Sequence, residues 1–229
     1  MASHMPIDST MGSALIGTIM SSLLLGVTYV QTFYYYKHYP KDRLYLKLLV
    51  ACTALLDTTH QALISHAVYH QLITNFNNPA SLDFLIWSGS LEALFGGMTS
   101  FLVQCFYTMR VWRLSKSYLL TGIIITIVVA NAACGIAWVS LAMKMQTYKQ
   151  LWTITPVTIS INALTSSVDI LIAGSLIVLL HKARTGFKRS DSTINRLILF
   201  IVNTGVLTSV MAIAILIAVS ISFQPLQPH

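Results

Sequence analysis

The chain has 229 residues, 55% of them apolar and only 9% charged, with a mean hydropathy of +0.70 and a formal net charge of +7. A soluble domain of this length needs a charged shell, so the composition excludes one and makes hydrocarbon the expected solvent of the outer surface. The positive balance does not indicate nucleic acid. Twelve of the fourteen Lys and Arg lie in three short segments between hydrophobic runs, where they orient a membrane protein.

The opening Met1-Ala-Ser-His-Met5 resembles a cloning remnant, and residues 1–11 read as a tail without the basic segment of a secretory signal. The first apolar run, about 12–36, ends in the aromatic belt Phe33-Tyr34-Tyr35-Tyr36, which suits the headgroup level. A tight basic loop broken by Pro40 leads to the second run, about 45–70. A turn-rich loop without Lys or Arg precedes the third run, about 84–109, which stops at Arg110, Trp112 and Arg113. The fourth run is about 118–143. A polar loop then reaches Pro156, a good first-turn residue for the fifth run, about 156–180. Loop 5, His181 to Asn195, is the most polar stretch, and a sixth run, about 197–223, precedes a short tail.

Each run meets the ~20 apolar residues a span requires. The expected fold is therefore all-α: a polytopic transmembrane bundle of six spans forming one domain over 12–223. Loops 1, 3 and 5 carry four, three and five Lys or Arg, and loops 2 and 4 carry Lys144 and Lys149 alone. The positive-inside asymmetry places loops 1, 3 and 5 in the cytoplasm and the N-terminus outside. Cys52, Cys105 and Cys134 all fall within apolar runs and are expected to be unpaired.

The last two runs carry a distinctive pattern: Ser-Val-Asp169-Ile-Leu-Ile, then His181-Lys-Ala-Arg184-Thr-Gly186-Phe187-Lys188-Arg189-Ser-Asp191 through Asn195-Arg196, then Asn203-Thr-Gly205 through Ser209. Together with the Gly12 to Val27 run, the Gln31 to Tyr36 helix end and the Leu56, Asp57, His60 spacing, it resembles a fungal, mainly basidiomycete, multi-span family of unknown function (DUF6534-type). The resemblance covers nearly the whole chain, and 165–223 matches the family's C-terminal signature. It implies seven spans and a receptor-like topology with no established activity. The usual last span is missing from this sequence.

An ionisable side chain at the bilayer centre costs about 2.5–3.5 kcal/mol on insertion scales, so such residues turn inward and find partners. Asp57 and His60 in run two, Glu92 in run three and Asp169 in run five qualify. Asp57 and His60 are i, i+3 neighbours. They form either a carboxylate-oriented imidazole that serves as a general base, a proton relay or a metal ligand, or a mutual hydrogen bond that fixes the bundle. Glu92 shares a stripe with Ser88, Gly96 and Thr99, which either packs a neighbouring helix or lines a cavity. Asp169 continues the polar stripe of Asn162, Thr165 and Ser166, a candidate ligand-facing surface whose hydroxyls could instead bond back to their own helix. Gln31, Gln104, Asn131 and Asn203 supply one amide each in runs one, three, four and six for interhelical bonding, and Gln31 and Gln104 are also candidates for ligand contact. His66 and His70, i, i+4 without a third ligand, read as an interfacial pair rather than a metal site.

Several functions fail on missing parts. No lysine lies deep in a run for a retinal Schiff base, and His60 is the one mid-run histidine, too few for a transmembrane haem. There is no phosphate loop, no Gly-x-Ser-x-Gly, no His-Glu-x-x-His and no paired aspartate motif for magnesium-bound diphosphate, so no metal or cofactor is expected. Two classes remain. One is a receptor-like bundle binding a small lipophilic ligand, with Lys182, Arg184, Lys188, Arg189 and Arg196 available to anionic lipid or a cytoplasmic partner. The other is a metal-independent intramembrane isomerase or cyclase using Asp57, Glu92 and Asp169 as acid and base on a lipid-soluble substrate. An accessibility reporter placed between Lys182 and Arg196 is expected to face the cytoplasm; labelling from outside intact cells would overturn the orientation.

Overall fold

The structure, a computed structural model, describes residues 7–76, 78 and 84–182. Those residues form five long helices: α1 (Ile7–His38), α2 (Leu44–Tyr69), α3 (Trp87–Ser115), α4 (Tyr118–Ala142) and, after the one-turn α5 (Tyr148–Leu151), α6 (Thr155–Lys182). The fold is all-α, and no long-range sheet forms among the described residues. The expected sixth run and the loop 5 cations Arg184, Lys188, Arg189 and Arg196 lie outside the described residues, as does Asn203.

Four stretches are long and apolar enough to cross a membrane: Ala14–His38, Leu44–Thr74, Tyr118–Ala142 and Thr155–Lys182. Within their most apolar windows only 6% to 22% of residues are buried in the protein, so the rest of that apolar surface needs lipid against it. The third run folds as a helix but is not among the four, because Ser88, Ser90, Glu92, Thr99, Gln104 and Thr108 dilute its apolar content. Six spans are thus an expectation of which the described residues support four.

Helix ends follow local chemistry. α2 runs on through a single π-helical turn, His70–Thr74, that Asn75 closes by donating from its side chain to the His70 carbonyl. α3 continues past the expected stop at residue 109, so Arg110 and Arg113 are helical and loop 3 shrinks to a turn. Lys116 takes a left-handed conformation there, with φ 51°, and its N–H caps the Trp112 carbonyl. Ser117 then starts α4, its hydroxyl accepting from Leu120 N–H. Pro156 sits in the first turn of α6, as its spacing predicts.

The described residues fall into two packing units. The first holds α1, α2, the start of α3, the end of α4 and α5. Its α1–α2 hairpin is tied at the turn by Tyr35 donating to Asp42 and by Lys47 donating to the Pro40 carbonyl. Deeper in the hairpin, buried Gln61 accepts from Ser21 at 2.6 Å and donates to Ser22 at 2.7 Å. Across the loops, Leu85 N–H donates to Gln146 carbonyl at 2.8 Å, and Gln150 folds loop 4 by accepting from Gln146 N–H. The second unit holds the rest of α3, the start of α4 and α6. Its apolar core is Val111, Ile124, Val128, Val168, Ile172, Leu176 and Leu180, and the α6 members recur every four residues along one face.

Leu176 is 1% exposed whereas Leu24 on α1 is 66% exposed. Leu176→Ala is expected to lower stability by about 2–5 kcal/mol through cavity formation. Leu24→Ala, facing lipid on both sides of the unfolding reaction, should change it by less than about 0.5 kcal/mol. Unfolding in mixed micelles measures both, and equal effects would refute the assignment of the core.

Candidate functional site

In the first unit three side chains of α2 meet three of α3 in antiparallel order. His66 Nδ1 lies 3.1 Å from the hydroxyl of fully buried Ser88. One and a half turns further in, His60 Nε2 donates to Glu92 Oε1 at 2.7 Å. A turn beyond that, the Asp57 carboxylate has Thr99 and the His60 imidazole as its polar neighbours. The Thr99 hydroxyl is buried and faces Asp57 without reaching hydrogen-bond geometry. The result is a polar ladder, His66–Ser88, His60–Glu92 and Asp57–Thr99, running along an otherwise apolar pair of helices.

The rung at its centre depends on a missing side chain. Gly96 lies one turn after Glu92, and a Cβ there would come within 3.2 Å of His60 Cδ2 and 3.4 Å of Nε2. The glycine leaves room for the imidazole to come close to α3 and so reach the carboxylate. His60 and Glu92 keep 29% and 28% of their side-chain surface exposed. The imidazole is thus flanked by two carboxylates, hydrogen-bonded to one, and open on a third side. Such a group can hold or pass a proton and can hydrogen-bond an incoming molecule. His66 and His70 stand with ring centroids 6.2 Å apart beside Trp87, and Asn75 reaches His70 Nδ1 at 3.0 Å, so this pair is spent on local contacts. Among the described residues no three His, Cys, Asp or Glu gather in a way that could hold a metal ion.

The expected stripe on α6 divides among separate tasks in the second unit. Ser166 donates back to the Asn162 carbonyl at 2.8 Å, which spends its hydroxyl on its own helix. Thr165 donates to Asn131 Oδ1 on α4 at 3.2 Å. Asp169 meets Gln104 of α3, whose Nε2 lies 3.4 Å from Oδ1. Gln104 and Asn131 therefore do bond across helices, as their placement in apolar runs suggests. Gln31 does not: it is exposed and makes no hydrogen bond among the described residues. Lys182 closes α6 as its last residue. Sequence reading passed over Gln61, although its i, i+4 relation to Ser65 and its place opposite the Ser21-Ser22 pair were there to be noticed.

Apolar helices cross-linked by side-chain hydrogen bonds define the class: an all-α protein suited to embedding in a membrane. Residues 165–227 match a family of unknown function (DUF6534), a stretch that begins inside α6 with Thr165 and Asp169. No curated protein and no solved structure matches the chain.

A double-mutant cycle with His60→Gln and Glu92→Gln should return a coupling of about 1–2 kcal/mol, the size of a charge-assisted bond discounted for its exposure. Gly96→Val should abolish most of that coupling by displacing the ring. Additive single mutants would show that the two side chains do not work as a pair.

Proposed function

We propose that the protein is a multi-pass, receptor-like membrane protein that binds a small lipophilic ligand at the α2–α3 polar ladder. The observation that carries this reading is the His60–Glu92 contact, a 2.7 Å polar pair with more than a quarter of each side chain still open, set between helices that otherwise expose hydrocarbon-compatible surface. Hydrocarbon cannot satisfy those open polar edges. An apolar molecule with one hydrogen-bonding group could, entering from the bilayer and leaving its tail among the neighbouring side chains.

The same proposal places six spans in this sequence with the N-terminus outside and loops 1, 3 and 5 in the cytoplasm. Two observations support it. The Lys and Arg of loops 1 and 5 and of the α3 end outnumber those of loops 2 and 4 by twelve to two. The backbone bond from Leu85 to Gln146 also joins loops 2 and 4, which belong on one side of the membrane if α3 and α4 both cross it. Loop 5 would then present Lys182, Arg184, Lys188, Arg189 and Arg196 to anionic lipid or a cytoplasmic partner.

A second reading, an intramembrane acid–base enzyme acting on a lipid-soluble substrate, is favoured by one feature: Asp57 and Glu92 flank a single imidazole. The two readings part on one experiment. Protein purified in detergent and incubated with total lipid extract is expected to retain a lipophile that mass spectrometry detects after delipidating washes. Glu92→Gln and His60→Phe should each lose it, while Thr126→Ala, whose hydroxyl bonds back to Gly122 on an exposed face, should keep it. Chemical conversion of the retained molecule, lost in Asp57→Asn, would favour the enzyme. Retention by none of the proteins would sink the binding reading.

A further inference from the structure

We propose that the ligand of the α2–α3 ladder is a lipophilic amine, an alkyl chain whose ammonium group is held by the two carboxylates that flank His60. This inference rests on the binding reading of that site and adds the chemical class of what binds.

Hydrogen-bond roles at the centre of the ladder decide which kind of group can enter. His60 Nε2 carries a proton, since it donates to Glu92 Oε1 at 2.7 Å. That contact uses one of the two Glu92 oxygens, and an ionised carboxylate accepts at both. The Thr99 hydroxyl beside Asp57 stops short of hydrogen-bond geometry, so it leaves the Asp57 oxygens able to accept from a visitor. In the neutral imidazole Nδ1 is an acceptor as well. A visiting group therefore has to donate. An ammonium offers several donors at one atom, and an alcohol offers one.

Charge points the same way. The site brings two carboxylates to one imidazole. With the imidazole protonated and both carboxylates ionised, these three groups sum to one negative charge. An ammonium brings that sum to zero. A carboxylate or phosphate headgroup would add to it, where unbalanced charge is expensive.

Depth suits an amphiphile of this kind. Glu92 is five residues from the first residue of α3, about 8 Å along the axis. An amine on a flexible chain can reach that level from the interface while its tail stays in hydrocarbon. Beyond the polar rung, exposed Leu55 and Leu48 on α2 and exposed Met98 and Phe101 on α3 offer apolar surface to the tail.

The test uses the full chain, delipidated and held in nonionic micelles at neutral pH, with three probes of one chain length: oleylamine, oleyl alcohol and oleic acid. Affinity is read from the saturable rise of the thermal unfolding midpoint. Oleylamine is expected to bind at least about tenfold more tightly than the alcohol, and the acid more weakly than either. Asp57→Asn and Glu92→Gln should each lower the amine affinity about tenfold, toward that of the alcohol, whose own affinity changes less. Thr126→Ala should leave all three affinities unchanged. If Glu92→Gln does not fold, Asp57→Asn carries the comparison. An alcohol or acid that binds as tightly as the amine would overturn this inference and leave the binding reading standing. So would an amine preference that persists unchanged in Asp57→Asn, which would assign it to the charge of the micelle. Saturable binding by none of the three would overturn the binding reading along with this one.

Discussion

Hydrocarbon accepts and donates no hydrogen bonds, and this constraint governs where the polar side chains of the described helices go. Thr18, Thr28, Thr53, Thr59, Thr121, Thr126, Ser140, Ser160, Ser166 and Ser167 all donate to a carbonyl of the preceding turn. A hydroxyl in that position is self-sufficient and needs no neighbour. Side chains that cannot reach back in this way, Gln61, His60, Glu92, Gln104 and Asn131, instead cross to another helix. The division between the two groups is set by length and by the number of donors and acceptors each group must satisfy. Helix association in lipid lacks the hydrophobic drive available in water, so these few crossings and the fit of small residues specify which helices meet.

The α2–α3 ladder shows how a register is encoded by that rule. His66, His60 and Asp57 face Ser88, Glu92 and Thr99 in reverse order, and Gly96 gives the central ring room against the opposite backbone. Sliding one helix by a turn would leave a carboxylate against hydrocarbon and a Cβ against the imidazole. Register is therefore fixed by penalties for the alternatives as much as by the strength of any one bond. The cost falls on α3, whose polar load leaves it less apolar than its four companions. A helix shielded by its neighbours can carry such a load; one facing lipid on all sides cannot.

The two units treat ionisable groups differently. In the first, an imidazole between two carboxylates keeps an open edge and so retains chemistry. In the second, among the described residues, a carboxylate accepts from one amide at 3.4 Å, next to an apolar core built on a four-residue repeat. Both follow from which partner the opposing helix supplies, and not from any difference between the aspartates as sequence positions.

Much of this was legible in the sequence. Composition required lipid, apolar runs located the helices, and the stripe of Ser88, Glu92, Gly96 and Thr99 named one face of the ladder in full. Periodicity gives such information because neighbours three and four apart share a face whatever the helix packs on. It does not say which helix lies opposite. That Asp57 and His60 turn to Glu92 and Thr99, that Asp169 turns to Gln104, that Ser166 folds back on Asn162 and that Gln31 stays outside were decided by tertiary structure alone. The physical reason is that a single helix fixes the direction of its side chains, while the distance between polar groups on two helices depends on rotation and shift about both axes, which no run of residues contains.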